Sequence, residues 1–358
     1  MKKIIESTPP VSLKSYFSIG NKTHNNQFQN VTYTLRGRDA ISLAVRHFRL
    51  KIPDTVLLPG YLCKIIVEPF VNNFNPEYYD IEKDLSINTE KIDLILRSRK
   101  IKVLYIIHYY GFLHKNLSEL SRLCKKYGVL LWEDHAHSAL SRISYDYADA
   151  LIFSFRKVFP IPDGGGLWLA NSPSMKISNG SALSSNITSM LIFAKRSKLG
   201  MNRRVRTISQ PISNFNNSSV RNGEKEIIPQ PISFMSRRHI KNANIESIYE
   251  IRRDLFIKWQ NLISNSRFKP VITLLPDDVC PYSFPIWTKN PQELLSKLWK
   301  FEVRLRNLWP LEKEMEEKCP TAFEISNTLF SLPIYPGLLK SDMENILALV
   351  ERYGEPLG

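Results

Sequence analysis

The stretch Val129–Gly166, VLLWEDHAHSALSRISYDYADALIFSFRKVFPIPDGGG, decides how the chain folds. Two short apolar runs stand in it, Val129 to Trp132 and Ala150 to Phe155. Their length and their β-branched or aromatic content suit buried strands better than helices. Each run ends in polar chemistry. Glu133-Asp134-His135-Ala136-His137 follows the first, and Ser154-Phe155-Arg156-Lys157, then a Pro162-Asp163-Gly164-Gly165-Gly166 turn, closes the second. In an open parallel sheet, ligands sit in the crevice beyond the carboxyl ends of the strands, so this acid and this lysine can converge on one ligand.

Working outward, Ile101 to Ile107 (IKVLYII) is a central-strand run ending at His108-Tyr109-Tyr110-Gly111. Leu117, Leu120, Leu123, Cys124 and Tyr127 repeat at helical spacing, and Gly128 is a C-terminal stop. Further upstream, Thr32 to Leu35 reads as a short strand, and Gly37-Arg38-Asp39 turns into a helix carrying Leu43, Ala44 and Phe48 at helical spacing. Free backbone N–H groups and the helix dipole at such a start suit a phosphate. Val56 to Gly60 reads as another strand, and a helix is expected from Tyr61 to about Glu68, ended by Pro69. Alternating strands and helices predict an α/β fold, a mainly parallel sheet with helices on both faces.

A carboxylate and a lysine at adjacent strand ends are what pyridoxal phosphate requires. The lysine amine forms an imine with the cofactor aldehyde, and the carboxylate keeps the pyridine nitrogen protonated so that the ring can accept electrons. The order strand, Glu-Asp-x-x-His, strand, Phe-Ser-Phe, Lys, Gly-Gly resembles the DegT/DnrJ/EryC1/StrS sugar aminotransferases, from about Tyr33 to Asn171 and more weakly beyond. The resemblance implies the fold type I architecture of aspartate aminotransferase, with a large cofactor-binding domain and a smaller C-terminal α+β domain. It also implies pyridoxal 5'-phosphate, transfer of an amino group from an amino acid such as glutamate to a nucleotide-linked keto sugar, and a homodimer with shared active sites. By that register Lys157 is the Schiff-base lysine and Asp134 the partner of the pyridine nitrogen. His137 contacts the cofactor's face or phenolic oxygen, and Ser154 its phosphate. Gly37 and Arg38 form the phosphate turn, Cys63 takes the position of a ring-stacking side chain, and His108 positions cofactor or substrate.

Three departures qualify the match. Arg38 and Asp39 stand where a small hydroxyl residue usually follows the glycine, and Cys63 where an aromatic is common. Arg156 precedes Lys157 directly, with Val158-Phe159-Pro160-Ile161-Pro162 inserted before the glycines, a string similar to an S-x-R-K-x-x-P-x-P-D-G-G branch of the family. Bland readings stand beside several assignments: Asp134 as a capping acid, His108 as a hydrogen-bonded structural histidine, Tyr61 and Cys63 as packed helix residues.

The 358 residues suffice for one large α/β domain and a smaller one. The net charge of +15 raises nucleic acid or a membrane surface as partners. Lysine and arginine are scattered among acids without a basic block or nucleic-acid motif, so a generally basic surface is expected, with no nucleic acid and no membrane. Cys63, Cys124, Cys280 and Cys319 form no Cys-x-x-Cys pair, so neither a metal site nor a disulfide framework is expected, and reduced cytoplasmic thiols are. The start lacks the apolar core of a signal peptide.

Residues 1–32 read as an N-terminal arm, 33–245 as the large domain with a polar lid or inter-subunit region at 171–231, and 246–358 as the small domain. Apolar residues Ile245, Ile248, Ile251, Leu255, Trp259 and Leu262 mark a long joining helix. Beyond it, Tyr282 to Trp287, 293–301, Val303 to Trp309 and Leu332 to Pro336 supply strands and helices, with Trp287, Trp309 and Tyr335 as core. Two alternatives remain at this level: another fold type I reaction on an amino acid or acyl substrate, and a non-catalytic regulatory protein that keeps the fold.

Overall fold

The computed structural model describes residues 4–11, 27–71, 74–177, 182–196, 218–221, 224–306 and 308–357. After a two-residue β1 (Ile5–Glu6), the chain supplies β2 (Thr32–Thr34), β3 (Thr55–Pro59), β4 (Asn75–Tyr79), β5 (Ile101–Ile107), β6 (Leu130–Asp134), β7 (Ala150–Phe153) and β8 (Gly165–Leu169). The last seven form one sheet in the order β2-β8-β7-β6-β5-β3-β4. β4, β3, β5, β6 and β7 run parallel, and β8 and β2 join antiparallel. The sheet is thus mainly parallel, as expected, with β2 at one edge and β8 inside it. β3 and β7 are buried at every position, as strands covered on both faces must be.

The crossover helices obey their local signals. Leu117–Tyr127 stops at Gly128, whose φ of 66° is the left-handed cap conformation that a glycine adopts without strain. The helix after β3 corrects an expectation: it runs Lys64–Val71, so Tyr61 and Cys63 precede it and Pro69 lies inside it. Only eight residues long, it gives the proline little upstream helix to break.

The chain continues through β9 (Ser218–Arg221) and β10 (Glu224–Ile227), a hairpin, and then β11 (Lys269–Pro270), β12 (Ser283–Trp287), β13 (Val303–Arg304) and β14 (Leu329–Pro333). β11, β12 and β14 make a small antiparallel sheet, and β13 pairs with β1. Of the segment Val303 to Trp309, only Val303–Arg304 is a strand. The Ile245–Ser264 helix packs on the small sheet, but through a stripe rotated from the expected one. Tyr249, Arg252, Leu255, Phe256, Trp259 and Ile263 are buried, and Ile251 is exposed. Arg252 donates to the carbonyls of Pro281, Tyr282 and Val158, tying the turn after Lys157 to the segment entering β12. Most of the arm at 1–32 and long parts of 171–231 lie outside the described residues; within the latter, Ala182–Arg196 is a helix.

The end of β5 meets that same segment at Gly111. Its φ is +98°, and a Cβ there would lie 2.2 Å from the Cys280 carbonyl oxygen. Both the conformation and the space exclude a side chain. Gly111→Ala is therefore expected to destabilise the protein by about 3 kcal/mol or more, read as a fall in urea midpoint. An unchanged midpoint would disprove this account of the contact.

Candidate active site

β6 and β7 end side by side, with Asp134 in register with Ile107 on β5 and Ile152 on β7. Beyond their carboxyl ends opens a cavity of about 390 Å³. Asp134, Ala136, Ser154, Arg156 and Lys157 line it from the strand ends, Gly37 and Arg38 from a helix start, and Cys63 from the opposite wall.

The Gly37–His47 helix points its N-terminus into the cavity. A Cβ on Gly37 would stand 3.6 Å from that of Ser154, so the first helical turn rests against the serine. Asp39 N–H bonds the Arg36 carbonyl, whereas the N–H groups of Gly37 and Arg38 have no acceptor among the described residues. Two free amides, the helix dipole and the Ser154 hydroxyl compose an anion site. The Arg38 side chain turns away to Glu68 at 2.7 Å, so its contribution here is its amide. Asp39 is buried within the same helix, and burial raises its carboxyl to about 7 against the pull of Arg36 and Arg38, which lessens its repulsion of an anion.

At the other end, Asp134 accepts from Tyr105 Oη at 2.8 Å and from the Ala136 N–H at 2.7 Å. Burial raises its pKa, with Lys157 and these donors opposing. Lys157 follows Phe155 and Arg156 in a short 3-10 turn that brings Nζ back over the cavity. Burial lowers its ammonium to about 8, although Asp134 pulls the other way. At pH 7 about a tenth of this amine is therefore a free nucleophile or base, far more than for an ordinary lysine.

His137 lies under the indole of Trp309, ring centroids 5.1 Å apart at 7°, and on the ring of Tyr282 at 4.2 Å and 6°. Its Nδ1 accepts from the Tyr110 N–H at 3.4 Å, leaving the proton on Nε2, which is buried without a partner among the described residues. Burial, reinforced by Lys157, keeps the ring neutral, with a pKa well below the usual histidine value. A buried N–H donor needs an acceptor, and His137, like His108, is not among the residues that line the cavity.

His108 is placed differently from the sequence expectation. It is fully buried and absent from the cavity wall; its Nε2–H donates to Glu133 at 2.9 Å, and its Nδ1 accepts from the His114 N–H at 3.2 Å. His135 also donates to Glu133 Oε2, at 3.2 Å, and stacks on His108 at 4.4 Å. The adjacent acid thus draws both histidines inward, behind Asp134. Both nitrogens of each ring are used, which makes this cluster a hydrogen-bonded support. Tyr61 is likewise buried behind the wall, with its hydroxyl on Tyr110 and the Leu308 carbonyl.

That support predicts an acid limit on stability. Burial holds neutral His114 at about 3 and His135 at about 4, and His137 is lowered too. Each takes up a proton on unfolding below the free value near 6.5, so stability falls as pH drops from about 6.5 toward these folded values. By pH 5 the loss is on the order of 2 kcal/mol per histidine. Burial alone would raise Glu133, but its histidine bonds outweigh it and hold it at about 2, so its contribution fades only between about 4.5 and 2. Melting temperatures of cofactor-free protein should fall steeply between pH 7 and 5; a flat profile would overturn the neutral assignment.

Three residues on or behind the wall escape local reading. Tyr105 is the one polar side chain within the aliphatic end of β5, a signal that was available. Asp163 accepts from Ser189 Oγ and Ser233 N–H at 2.8 Å, and from Ser233 and Ser236 hydroxyls, partners far along the chain that no local pattern reveals. Trp309, expected only as core, is indeed mostly buried, yet its indole also lies 5.7 Å from Lys157 Nζ.

Comparison with known proteins places this geometry. The model of the DegT/DnrJ/EryC1/StrS aminotransferase family matches residues 28–209. A dTDP-3-amino-3,6-dideoxy-alpha-D-galactopyranose transaminase of Aneurinibacillus thermoaerophilus is 21% identical over 344 residues, 89% of this chain and 84% of the relative. A putative sugar aminotransferase of Streptococcus pneumoniae, solved in a PMP form, superposes with a TM-score of 0.68 at 14% identity over 98% of this chain and 97% of that one. Helicobacter pylori PseC, an aminotransferase involved in pseudoaminic acid biosynthesis, gives 0.68 at 14% identity, covering 98% and 99%.

Proposed function

Because the chain belongs to the DegT/DnrJ/EryC1/StrS aminotransferase family, a family of pyridoxal-phosphate-dependent enzymes, we propose that it moves an amino group from glutamate to a nucleotide-linked keto sugar in glycan or secondary-metabolite biosynthesis. The observation that carries this is the single cavity in which Lys157 and Asp134 face an anion site built from Gly37, Arg38 and Ser154. The transaminase relative acts on a dTDP-linked amino sugar by its name, which supports a nucleotide-linked acceptor. We read the protein as a cytoplasmic homodimer, divided into an arm at 1–32, a large domain at 33–245 and a small one at 246–358. Free Cys63, Cys124, Cys280 and Cys319 are consistent with a reducing compartment, and no helix among the described residues is long and apolar enough to cross a membrane.

The residues fit the cofactor, as the Gly37 and Arg38 amides without an acceptor among the described residues and the placing of Asp134 and Lys157 on the same cavity wall indicate. Bound pyridoxal phosphate supplies an aldehyde for an amine and a ring that draws electrons from the carbon losing its proton. Asp134 would hold the pyridine N–H, its carboxylate oriented by Tyr105 and Ala136. His137 would donate to the phenolic oxygen, and Gly37, Arg38 and Ser154 would hold the phosphate. Cys63 and Ala136 are the wall residues placed to contact the ring. Lys157 Nζ would take the proton from the donor carbon in one half-reaction and return one to the acceptor carbon in the other, with its basicity lowered by burial to about 8.

The test is product analysis: purified protein with pyridoxal phosphate, glutamate and a panel of nucleotide-linked keto sugars. The expected products are 2-oxoglutarate and an aminated sugar nucleotide by mass spectrometry. A protein whose cofactor spectrum responds to no amino acid would sink the proposal and favour a non-catalytic role.

A further inference from the structure

Charge within the cavity is not balanced by the protein. Its wall carries Arg36, Arg38, Arg156 and Lys157 against Asp134 and Asp163. Arg38 is paired with Glu68, Asp163 is committed to three serines, and Asp134 takes Tyr105 and the Ala136 amide. Arg156 has a partner for its backbone N–H, the Gly164 carbonyl at 3.5 Å, but none for its guanidinium among the described residues. Burial depresses its basicity, Tyr282 and Cys63 work against that, and Arg306 adds repulsion. Cys63 and Lys157 stand near it on the cavity wall, and so does Arg36, which precedes the phosphate helix, so Arg156 acts on both the Lys157 end and the end marked by the helix amides and Ser154. The side chain is half-buried on the cavity wall, and the planar fork of an unpaired guanidinium there matches a carboxylate or phosphate.

We propose that Arg156 is the seat of a second anion site, separate from the cofactor-phosphate site, which takes an oxyanion of a substrate beside Lys157. The same chemistry has two sources: the α-carboxylate of the amino donor and the diphosphate of the sugar nucleotide. The proposal rests on the aminotransferase reading above.

The experiment compares cofactor-loaded parent, Arg156→Gln and Arg156→Lys proteins. Cofactor affinity is measured by absorbance titration, glutamate and its α-amide by their spectral half-saturation, and dTDP-glucose by calorimetry. Melting temperatures show whether each variant is folded, and partial recovery in Arg156→Lys separates charge from packing. The expected result is cofactor affinity within about twofold of parent, with one substrate weakened about 10- to 100-fold in Arg156→Gln. Weakened glutamate together with an unchanged response to the α-amide identifies the donor carboxylate; weakened dTDP-glucose identifies the diphosphate. Loss of cofactor affinity with neither substrate affected would assign Arg156 to the cofactor phosphate and overturn the proposal, as would no change at all. A parent protein without a cofactor band refutes the aminotransferase reading itself, a result distinct from either.

Discussion

Lys157→Ala should lower turnover by about four orders of magnitude or more, because it removes both the nucleophile for the cofactor aldehyde and the base that moves the proton. The visible band of lysine-bound cofactor should vanish with it, while the melting temperature changes little, since burial disfavours the ammonium and it makes no hydrogen bond or close ion pair among the described residues. Added ethylamine should restore a fraction of the activity. The pH dependence gives a sharper check. Only the neutral amine attacks, and burial sets its pKa at about 8 despite Asp134. The rate of cofactor capture by empty protein should thus fall about tenfold per pH unit below that value and level off above it. Retained turnover in the variant, or capture independent of pH, would remove Lys157 from the role.

The second large effect belongs to Asp134. Asp134→Asn keeps the shape but offers the pyridine nitrogen no negative partner, so turnover should drop about 100- to 10,000-fold while the protein still captures cofactor on Lys157. Asp134→Ala should cost stability as well, on the order of 1–3 kcal/mol, because the Tyr105 hydroxyl and Ala136 N–H lose their common acceptor in a buried place. Tyr105→Phe separates the two effects: it leaves the charge and removes one orienting bond, so its activity loss should be smaller, about tenfold. Stopped-flow absorbance of the half-reaction with glutamate reads all three. Parent-like rates in Asp134→Asn would refute its assignment.

These expectations rest on residues that were visible in the sequence alone. The strands at Ile101 to Ile107, Val129 to Trp132 and Ala150 to Phe155 were legible because a buried parallel strand must be a continuous apolar run. The crossover helix ending at Gly128 was legible because a 3.6-residue period and a glycine stop are local facts. Asp134, Ser154, Lys157 and Gly37 could be named because chemistry at a strand end or helix start is fixed by covalent adjacency to that element. What only the tertiary structure decided depends on which surfaces meet. His108 turns inward because Glu133, on the neighbouring strand, accepts a hydrogen bond from its Nε2–H in a fully buried place. The Ile245–Ser264 helix buries Arg252 and exposes Ile251 because three carbonyls from distant segments need a donor there. Trp309 closes over His137, and Asp163 gathers serines from beyond the sheet, through contacts that no local period encodes. Arg156 reads as one more cation in the sequence, and it becomes a candidate ligand because, among the described residues, folding pairs its guanidinium with no acid.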